Sequence, residues 1–161
     1  MSNFKIRELK KEDAGDVEKI YDLYWSGEFR KHLSERLKDF LNHSDDSIEQ
    51  GFNYFIAEKD KEIVGIAAFR KLPERMKKYV KTDKPAEFYV LAVKYKNQGI
   101  GKALRAERIE KAKKLGFTEA IFFSGEKHKD AWISHDKSGF KRIGAEVAPD
   151  GEAGQIWQMI F

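Results

Sequence analysis

The spacing of apolar residues divides the first third of the chain into one strand and two helices. Apolar and polar residues alternate from Phe4 to Leu9, and apolar residues recur at helical spacing through residues 17–25 and 34–41. A period of two is typical of a half-buried strand, whereas a period near 3.6 is typical of a helix. The pattern therefore predicts a strand and two helices, the second of them capped by Ser34. Residues 43–50 are polar and are predicted to form a loop.

The middle of the chain predicts a hairpin and then a strand–helix–strand unit. Two apolar runs, 54–57 and 63–69, flank the turn residues Asp60 and Lys61, which is typical of a hairpin. A basic loop with one helical turn is expected over residues 72–85. Residues 86–93 are the most strand-like run of the chain, and a helix to Leu115 and a buried strand over 119–123 follow. Two strands joined through a helix pair in parallel through a right-handed crossover.

The last third of the chain predicts a short helix and two closing strands. The helix is expected over residues 129–137, with Gly139 at its end, and the strands over 141–147 and 155–160. The resulting fold class is α/β (α+β mixed). It has a central mixed, mostly antiparallel sheet of six to seven strands, flanked by about four helices, in one domain spanning residues 1–161.

Composition excludes several classes of protein. The 161 residues are 41% hydrophobic and carry a net charge of +4. The absence of cysteine excludes disulfides, thiol nucleophiles and cysteine-ligated zinc. The sequence shows neither a signal-peptide pattern nor an apolar run of about 20 residues. We therefore expect an intracellular, cytoplasmic protein.

A glycine pair marks the junction between the strongest strand and its helix, in the segment KNQGIGKALRAE at residues 96–107. It fails the Walker pattern, because Ala103 follows Gly101-Lys102 where serine or threonine is needed. It fails the dinucleotide fingerprint, because Leu104 stands in place of the third glycine. Two interpretations remain open. The pair forms a tight turn, or it opens a helix N-terminus to a phosphate group.

The segment LAVKYKNQGIGKAL resembles the acyl-CoA-binding motif of the GNAT superfamily of N-acetyltransferases. The matching residues are Leu91, Val93, Gly99, Gly101 and Leu104. Lys96 stands where the family has arginine or glutamine, and the loop after the strand is shorter than is common.

A second family motif has a weaker counterpart in HKDAWISHDKSGF. Ala131, Gly139 and Phe140 are in register, whereas His128 replaces the usual asparagine and His135 the usual tyrosine. The predicted order of elements also fits the family fold nearly end to end. The resemblance implies an acyl-CoA N-acyltransferase-like fold.

The resemblance further implies acetyl-CoA as cosubstrate, with no metal. The pantetheine arm would pair with the backbone of the strand, and the diphosphate would lie against the glycine loop. The cofactor-binding residues implied in this way are Leu91, Ala92, Val93, Lys96, Asn97, Gln98, Gly99, Ile100, Gly101, Lys102 and His128.

Two residues are candidates for proton transfer. Glu87 lies among apolar neighbours in the central strand and is the candidate base, with a polar strand-end residue as the alternative. His135 is the candidate acid, because an imidazole donates a proton more readily than a phenol; the alternative is a surface helix residue. Tyr89 alternates onto the same face as Glu87. His128 and His135 are spaced for one helix face, but without a clear third ligand they do not predict a metal site.

The sequence therefore predicts an N-acetyltransferase acting on a primary amine of a small molecule, a peptide N-terminus or a lysine. The alternative is a regulatory CoA-binding domain of the same fold with little catalysis. Nucleic acid is an unlikely partner because basic and acidic residues are interspersed, no membrane partner is expected, and a homodimer is left open. The expected acceptor loops, 27–31, 72–84 and 148–154, do not identify the amine.

Overall fold

The computed structural model describes residues 3–161. The strands are β1 (Lys5–Glu8), β2 (Asn53–Lys59), β3 (Glu62–Lys71), β4 (Pro85–Val93), β5 (Glu119–Gly125), β6 (Lys141–Val147) and β7 (Ala153–Ile160). The α-helices are α1 (Ala14–Asp22), α2 (Gly27–Leu41), α3 (Asp45–Gln50), α4 (Ile100–Lys114) and α5 (Trp132–Asp136). Three 3₁₀ helices occupy Lys11–Asp13, Glu74–Tyr79 and Glu126–Ala131.

The seven strands form one sheet in the order β1-β2-β3-β4-β5-β7-β6. The pairs β1–β2, β2–β3, β5–β7 and β6–β7 are antiparallel, and β4 pairs with β5 in parallel. The predicted mixed, mostly antiparallel sheet and its parallel strand–helix–strand unit are therefore confirmed. Helix α4 ends at Lys114, one residue before the predicted Leu115, and Gly116 follows with a left-handed φ of 88° and its N–H bonded to the Lys113 carbonyl.

Two local predictions are wrong. Residues 43–50 are not a loop, because α3 begins after Ser44, whose hydroxyl accepts a hydrogen bond from the Ser47 N–H at 3.1 Å. Ser34 does not cap the second helix, which begins at Gly27 after Ser26. The Ser34 hydroxyl instead donates to the Glu18 carboxylate of α1 at 2.7 Å. Ser34 thus joins two helices rather than starting one.

The described chain divides into two compact units, each made of two chain segments. The first contains the described residues up to Arg70 together with Tyr89–Ala112. Its core is formed by the apolar faces of α1 and α2 against the strands, with fully buried side chains such as Tyr21, Leu33 and Ile66.

The second unit contains Lys71–Phe88 and Lys113–Phe161. On one sheet face Phe122 stacks on Trp157, with ring centroids 5.4 Å apart and planes 9° from parallel. On the opposite face Ile121 and Ile156 pack with Leu72 and Met76. Successive strand residues point to opposite faces, so each strand contributes to both layers.

A buried carboxylate ties the second unit's loop to its sheet. Glu119, at the start of β5, has no solvent exposure. It accepts hydrogen bonds from the backbone N–H groups of Lys81 and Thr82 at 2.9 and 2.6 Å and from the Gln158 amide at 2.6 Å. A buried charge is tolerated when it is hydrogen-bonded in this way.

None of the helices within residues 3–161 is long and apolar enough to cross a membrane.

Candidate functional site

The loop between β4 and α4 contains two left-handed residues. Asn97 has a φ of 62° and Gly99 a φ of 79°. Asparagine and glycine tolerate this region better than other residues, so the sequence Asn-Gln-Gly suits the turn. Helix α4 begins at Ile100, and the Ala103 N–H bonds the Gly99 carbonyl at 3.1 Å. Ala103 is the first donor of the intrahelical bonds, so the N–H groups of Ile100, Gly101 and Lys102 have no acceptor within the helix and form the positive end of its dipole.

The two glycines of this loop have different surroundings. A Cβ placed on Gly99 would meet no protein atom within 4 Å. A Cβ on Gly101 would lie 3.7 Å from Val93 Cγ1 and 3.9 Å from Leu91 Cδ2, which is ordinary packing. The space beside Gly99 is therefore open, whereas Gly101 faces the strand. The structure fits an anion at the open helix N-terminus, and Gly99 is the glycine that keeps it open.

Cationic and amide side chains surround this N-terminus. Lys96 and Lys102 are exposed, and the Lys96 ammonium lies 5.9 Å from the centre of the Tyr24 ring. The Gln98 side-chain oxygen accepts a hydrogen bond from Lys59 at 3.3 Å. Positive charge near a helix N-terminus adds to its attraction for an anion.

Hydrogen bonds from the turn after α1 and from α4 hold the end of β4. The Tyr24 hydroxyl donates to the Val93 carbonyl at 2.7 Å. Arg108 of α4, which is buried, donates to the Val90 carbonyl at 3.0 Å. Burial, together with the charge of Arg105, lowers the pKa of Arg108 to about 9. These contacts hold the strand at a fixed position against α4.

Gly65 of β3 allows α4 to approach the sheet. A Cβ at this position would lie 2.7 Å from Leu104 Cδ1 and 3.1 Å from Ile100 Cγ2. Both of these side chains are buried in the first two turns of α4. The position of the α4 N-terminus therefore depends on Gly65, which lies 35 residues before Ile100 in the chain. In the sequence Gly65 is only one small residue in an apolar run.

The parallel ladder between β4 and β5 is short. Its register runs from Pro85–Glu119 to Glu87–Ile121, three residue pairs. The later part of β4, from Phe88 to Val93, contributes no residue to that ladder in the described chain. Leu91, Ala92 and Val93 lie in this later part, which belongs to the first unit from Tyr89 onward.

Glu87 lies in the second unit, at the end of that ladder. It is 6% exposed, and its Oε2 lies 3.7 Å from a guanidinium nitrogen of Arg75. As the partner of Ile121 it shares the face that carries Leu72 and Met76. Glu87 is thus a nearly buried carboxylate with a charged neighbour, the half-exposed Arg75.

His135 lies in α5 of the second unit and packs edge-on against two rings, Phe122 at 4.8 Å and Trp157 at 5.0 Å. Phe122 and Ile121 are successive strand residues, so His135 and Glu87 are on opposite faces of this unit's sheet.

The spacing of His128 and His135 does not put them on one helix. His128 lies in the 3₁₀ helix Glu126–Ala131, where its φ of −113° and ψ of 28° are not helical, and His135 lies in the separate helix α5. In the part of the chain that the structure describes, no group of three or more His, Cys, Asp or Glu is placed to hold a metal ion.

The predicted cofactor residues from Leu91 to Lys102 are thus gathered in the first unit, whereas Glu87, His128 and His135 belong to the second. Sequence reasoning missed the roles of Gly65 and Arg108. Their contacts join residues far apart in the chain, and no local pattern signals them. The hydrogen bond from Tyr24 to the Val93 carbonyl was not predicted either.

Comparison with known proteins identifies the same family that the glycine loop resembles. The sequence profile of the acetyltransferase (GNAT) family matches residues 17–140. No curated protein shows a significant sequence match to the chain.

Solved structures share the fold at low sequence identity. A structure from Desulfovibrio desulfuricans described as a GNAT-family acetyltransferase has a TM-score of 0.81 at 19% identity, with 98% of each chain covered. The PaiA N-acetyltransferase of Thermoplasma acidophilum, solved with coenzyme A, has a TM-score of 0.69 at 20% identity over all of both chains. The Escherichia coli ribosomal-protein-S18-alanine N-acetyltransferase has a TM-score of 0.68 at 18% identity, with 98% of this chain and 93% of that chain covered.

Proposed function

This chain belongs to the GNAT acetyltransferase family, and we propose that it transfers the acetyl group of acetyl-CoA to a primary amine of a small molecule or a peptide. The observation that carries the proposal is the open N-terminus of α4. Gly99 leaves free space there, and the first-turn N–H groups point outward. The solved N-acetyltransferases of the same fold support the reaction class.

The start of α4, in the first unit, supplies groups that suit the diphosphate of acetyl-CoA. The N–H groups of Ile100, Gly101 and Lys102 suit the diphosphate, because a helix N-terminus stabilises negative charge. The ammonium groups of Lys96 and Lys102 add charge at the same place. His128, in the second unit, stays a predicted cofactor contact.

The backbone of Leu91, Ala92 and Val93 suits the pantetheine arm, because an extended amide chain pairs with a strand edge as an added strand does. The Val93 carbonyl already accepts from Tyr24. A carbonyl oxygen has two lone pairs, so it retains one for the cosubstrate. Tyr24 thus orients this carbonyl without removing it from use.

The reaction moves one proton from the amine and one to the leaving sulfur. The amine nitrogen forms a bond to the thioester carbonyl carbon, the carbon–sulfur bond breaks, and CoA leaves as its thiol. We assign Glu87 as the group that takes the amine proton and His135 as the group that protonates the sulfur. The two groups lie on opposite faces of the second unit's sheet, so each assignment is a separate proposal with its own test.

The diphosphate site is tested by replacing Gly99 with asparagine. Asparagine tolerates the left-handed backbone, as Asn97 shows, so Gly99→Asn keeps the fold and fills the open space. We expect the Kd for CoA, measured by calorimetry, to rise at least about tenfold, which corresponds to about 1.4 kcal/mol. Gly151→Asn is the matched control, because Gly151 has a φ of 91° and nothing within 4 Å of its Cβ position. Equal CoA affinity in the two variants would disprove the assignment.

Transfer itself is tested by following free CoA released from acetyl-CoA across a panel of primary amines. Release that depends on an amine, with the acetylated amine found by mass spectrometry, supports the proposal. Tight CoA binding without transfer to any amine would favour the regulatory CoA-binding domain instead.

A further inference from the structure

Two arginines of the first unit converge on the same pair of aromatic rings. The Arg36 guanidinium of α2 lies 5.0 Å from the centre of the Tyr89 ring and 5.9 Å from that of Phe52. The Arg70 guanidinium, at the end of β3, lies 5.5 and 5.1 Å from the same two centres. The rings of Phe52 and Tyr89 meet edge to face at 5.5 Å. We call these four residues the arginine–aromatic cluster.

Arg36 brings a positive charge that the chain does not neutralise. Its contacts in the described chain are the faces of the two rings, and within residues 3–161 no carboxylate forms an ion pair with it. Arg70 is 4% exposed and donates to the side-chain oxygen of Gln50 at 2.6 Å. A ring face attracts a guanidinium only modestly, so a carboxylate, which takes two parallel N–H bonds from arginine, is the stronger partner for Arg36.

The cluster lies next to buried hydroxyls that the chain leaves unused. The hydroxyls of Tyr54 and Tyr21 are buried and have no hydrogen-bond partner in the described part of the chain. Burial raises the pKa of Tyr54, the neighbouring Tyr89 raises it further, and the charges of Arg36 and Arg70 oppose the shift. The rings of Tyr54 and Phe52 stack with their centres 5.9 Å apart, which places Tyr54 beside the cluster. An unpaired buried hydroxyl is destabilising, a cost that proteins accept most readily where a ligand or a water supplies the partner.

The cluster shares a strand with the pantetheine segment. Tyr89 precedes Leu91 by two residues in β4, which is about 7 Å along an extended strand. This distance is about the length of a small amine. An acceptor bound beside Tyr89 can therefore extend to the strand residues assigned to acetyl-CoA. All of these residues belong to the first unit.

We propose that Arg36, with Arg70, Phe52 and Tyr89, binds the carboxylate of the acceptor, so that the acceptor is a small amine that also carries a carboxylate, as an amino acid does. The proposal rests on the N-acetyltransferase function proposed above. The acceptor nitrogen gains the acetyl group, CoA leaves as its thiol, and the carboxylate does not react. The positive charge of Arg36 disfavours polyamines at the same place. Arg36 is then a specificity-determining residue.

The test compares amino acids with their amides as acceptors, for example phenylalanine with phenylalaninamide and glutamate with glutamine amide, by CoA release. The wild-type protein is expected to favour each acid over its amide by at least about tenfold in kcat/KM. Arg36→Gln should lower kcat/KM for the acids by about 10- to 100-fold, as loss of one charge-assisted pair does, and leave the amides within about twofold. Lys38→Gln, which removes an exposed charge from the same helix, should change neither.

The outcomes separate this proposal from the proposed function. Equal rates for acids and amides, or a preference for polyamines, would overturn the carboxylate proposal and leave the transferase function standing. If no amine is acetylated, the function itself fails. Calorimetry with N-acetylphenylalanine and its amide then still tests the carboxylate subsite. If the acid binds and Arg36→Gln weakens its binding, the subsite is supported. If the acid does not bind at millimolar concentration, or binds equally well to Arg36→Gln, the subsite is contradicted.

Discussion

Gly65→Ala tests how closely α4 must approach the sheet. The added Cβ would lie 2.7 Å from Leu104 Cδ1, 3.1 Å from Ile100 Cγ2 and 3.4 Å from the Ala92 carbonyl oxygen. Carbon atoms pack at about 3.5–4.0 Å, so α4 or the strand must move by several tenths of an ångström. Overpacking of this kind costs about 1–3 kcal/mol, and the lower backbone entropy of alanine returns about 0.5–1 kcal/mol. We expect a net loss of about 1–2 kcal/mol.

Thermal unfolding measures this loss. For a chain of this length, 1 kcal/mol shifts Tm by about 2–4 °C, so the Tm of Gly65→Ala should fall by about 2–8 °C. Since the displaced atoms belong to the first two turns of α4, the Kd for CoA should rise as well.

Gly144→Ala is the matched control. Gly144 lies in strand β6, and its Cβ position has nothing within 4 Å, so the same substitution should be neutral or slightly stabilising. In a Leu104→Ala background the closest atom is absent, and Gly65→Ala should cost less than it does in the wild type. Equal Tm values for the two glycine variants, or an equal cost in both backgrounds, would refute the reasoning.

Two further predictions concern the second unit. The hydrogen bond from Lys78, with those from Tyr79 and the Val147 N–H, lowers the pKa of Glu146 to about 2. This carboxylate therefore contributes stability at neutral pH that is lost as the pH falls from about 4.5 to about 2. The Tm difference between wild type and Glu146→Gln should shrink across that window, and a difference independent of pH would contradict the ion pair. His135→Phe keeps a ring against Phe122 and Trp157 but removes the imidazole proposed to donate the proton. We expect kcat to fall by at least about tenfold, with little change in the KM for acetyl-CoA. A pH–rate profile equal to that of the wild type would exclude His135 as the acid.

Local sequence patterns predicted the helices and strands whose first and last residues are determined by neighbouring residues in the chain. The strand over 141–147 has its predicted bounds, and α4 ends where Gly116 follows its last cations. The helix α3 was missed because it is a single short turn of polar residues with little apolar periodicity. The start of α2 was placed too late because Ser34, a good capping residue, is used in a tertiary contact with Glu18.

The glycine loop could be predicted for a related reason. A left-handed backbone at Gly99 restricts the residue type, and the restriction is visible in the sequence. What each glycine faces is not visible, since Gly101 faces Val93 and Leu91 while Gly99 faces open space. The contacts of Gly65 join residues 27 to 39 positions apart, and those of Arg108 join residues 18 to 40 positions apart. They depend on the assembled sheet, which no window of sequence contains.

The later part of β4 carries both proposed binding events, and the two can be separated by mutation. Residues Leu91–Val93 and the start of α4 are the proposed site of the cosubstrate, whereas the arginine–aromatic cluster, which includes Tyr89, is the proposed site of the acceptor. Gly65 contacts α4 and does not belong to the cluster. Gly65→Ala should therefore raise the Kd for CoA and leave the ratio of acid to amide rates unchanged. Arg36→Gln should lower the ratio of acid to amide rates and leave the Kd for CoA unchanged. If either variant changes both quantities, the two events are coupled through β4 itself, and its position is then set by the contacts that Tyr24 and Arg108 make with Val93 and Val90.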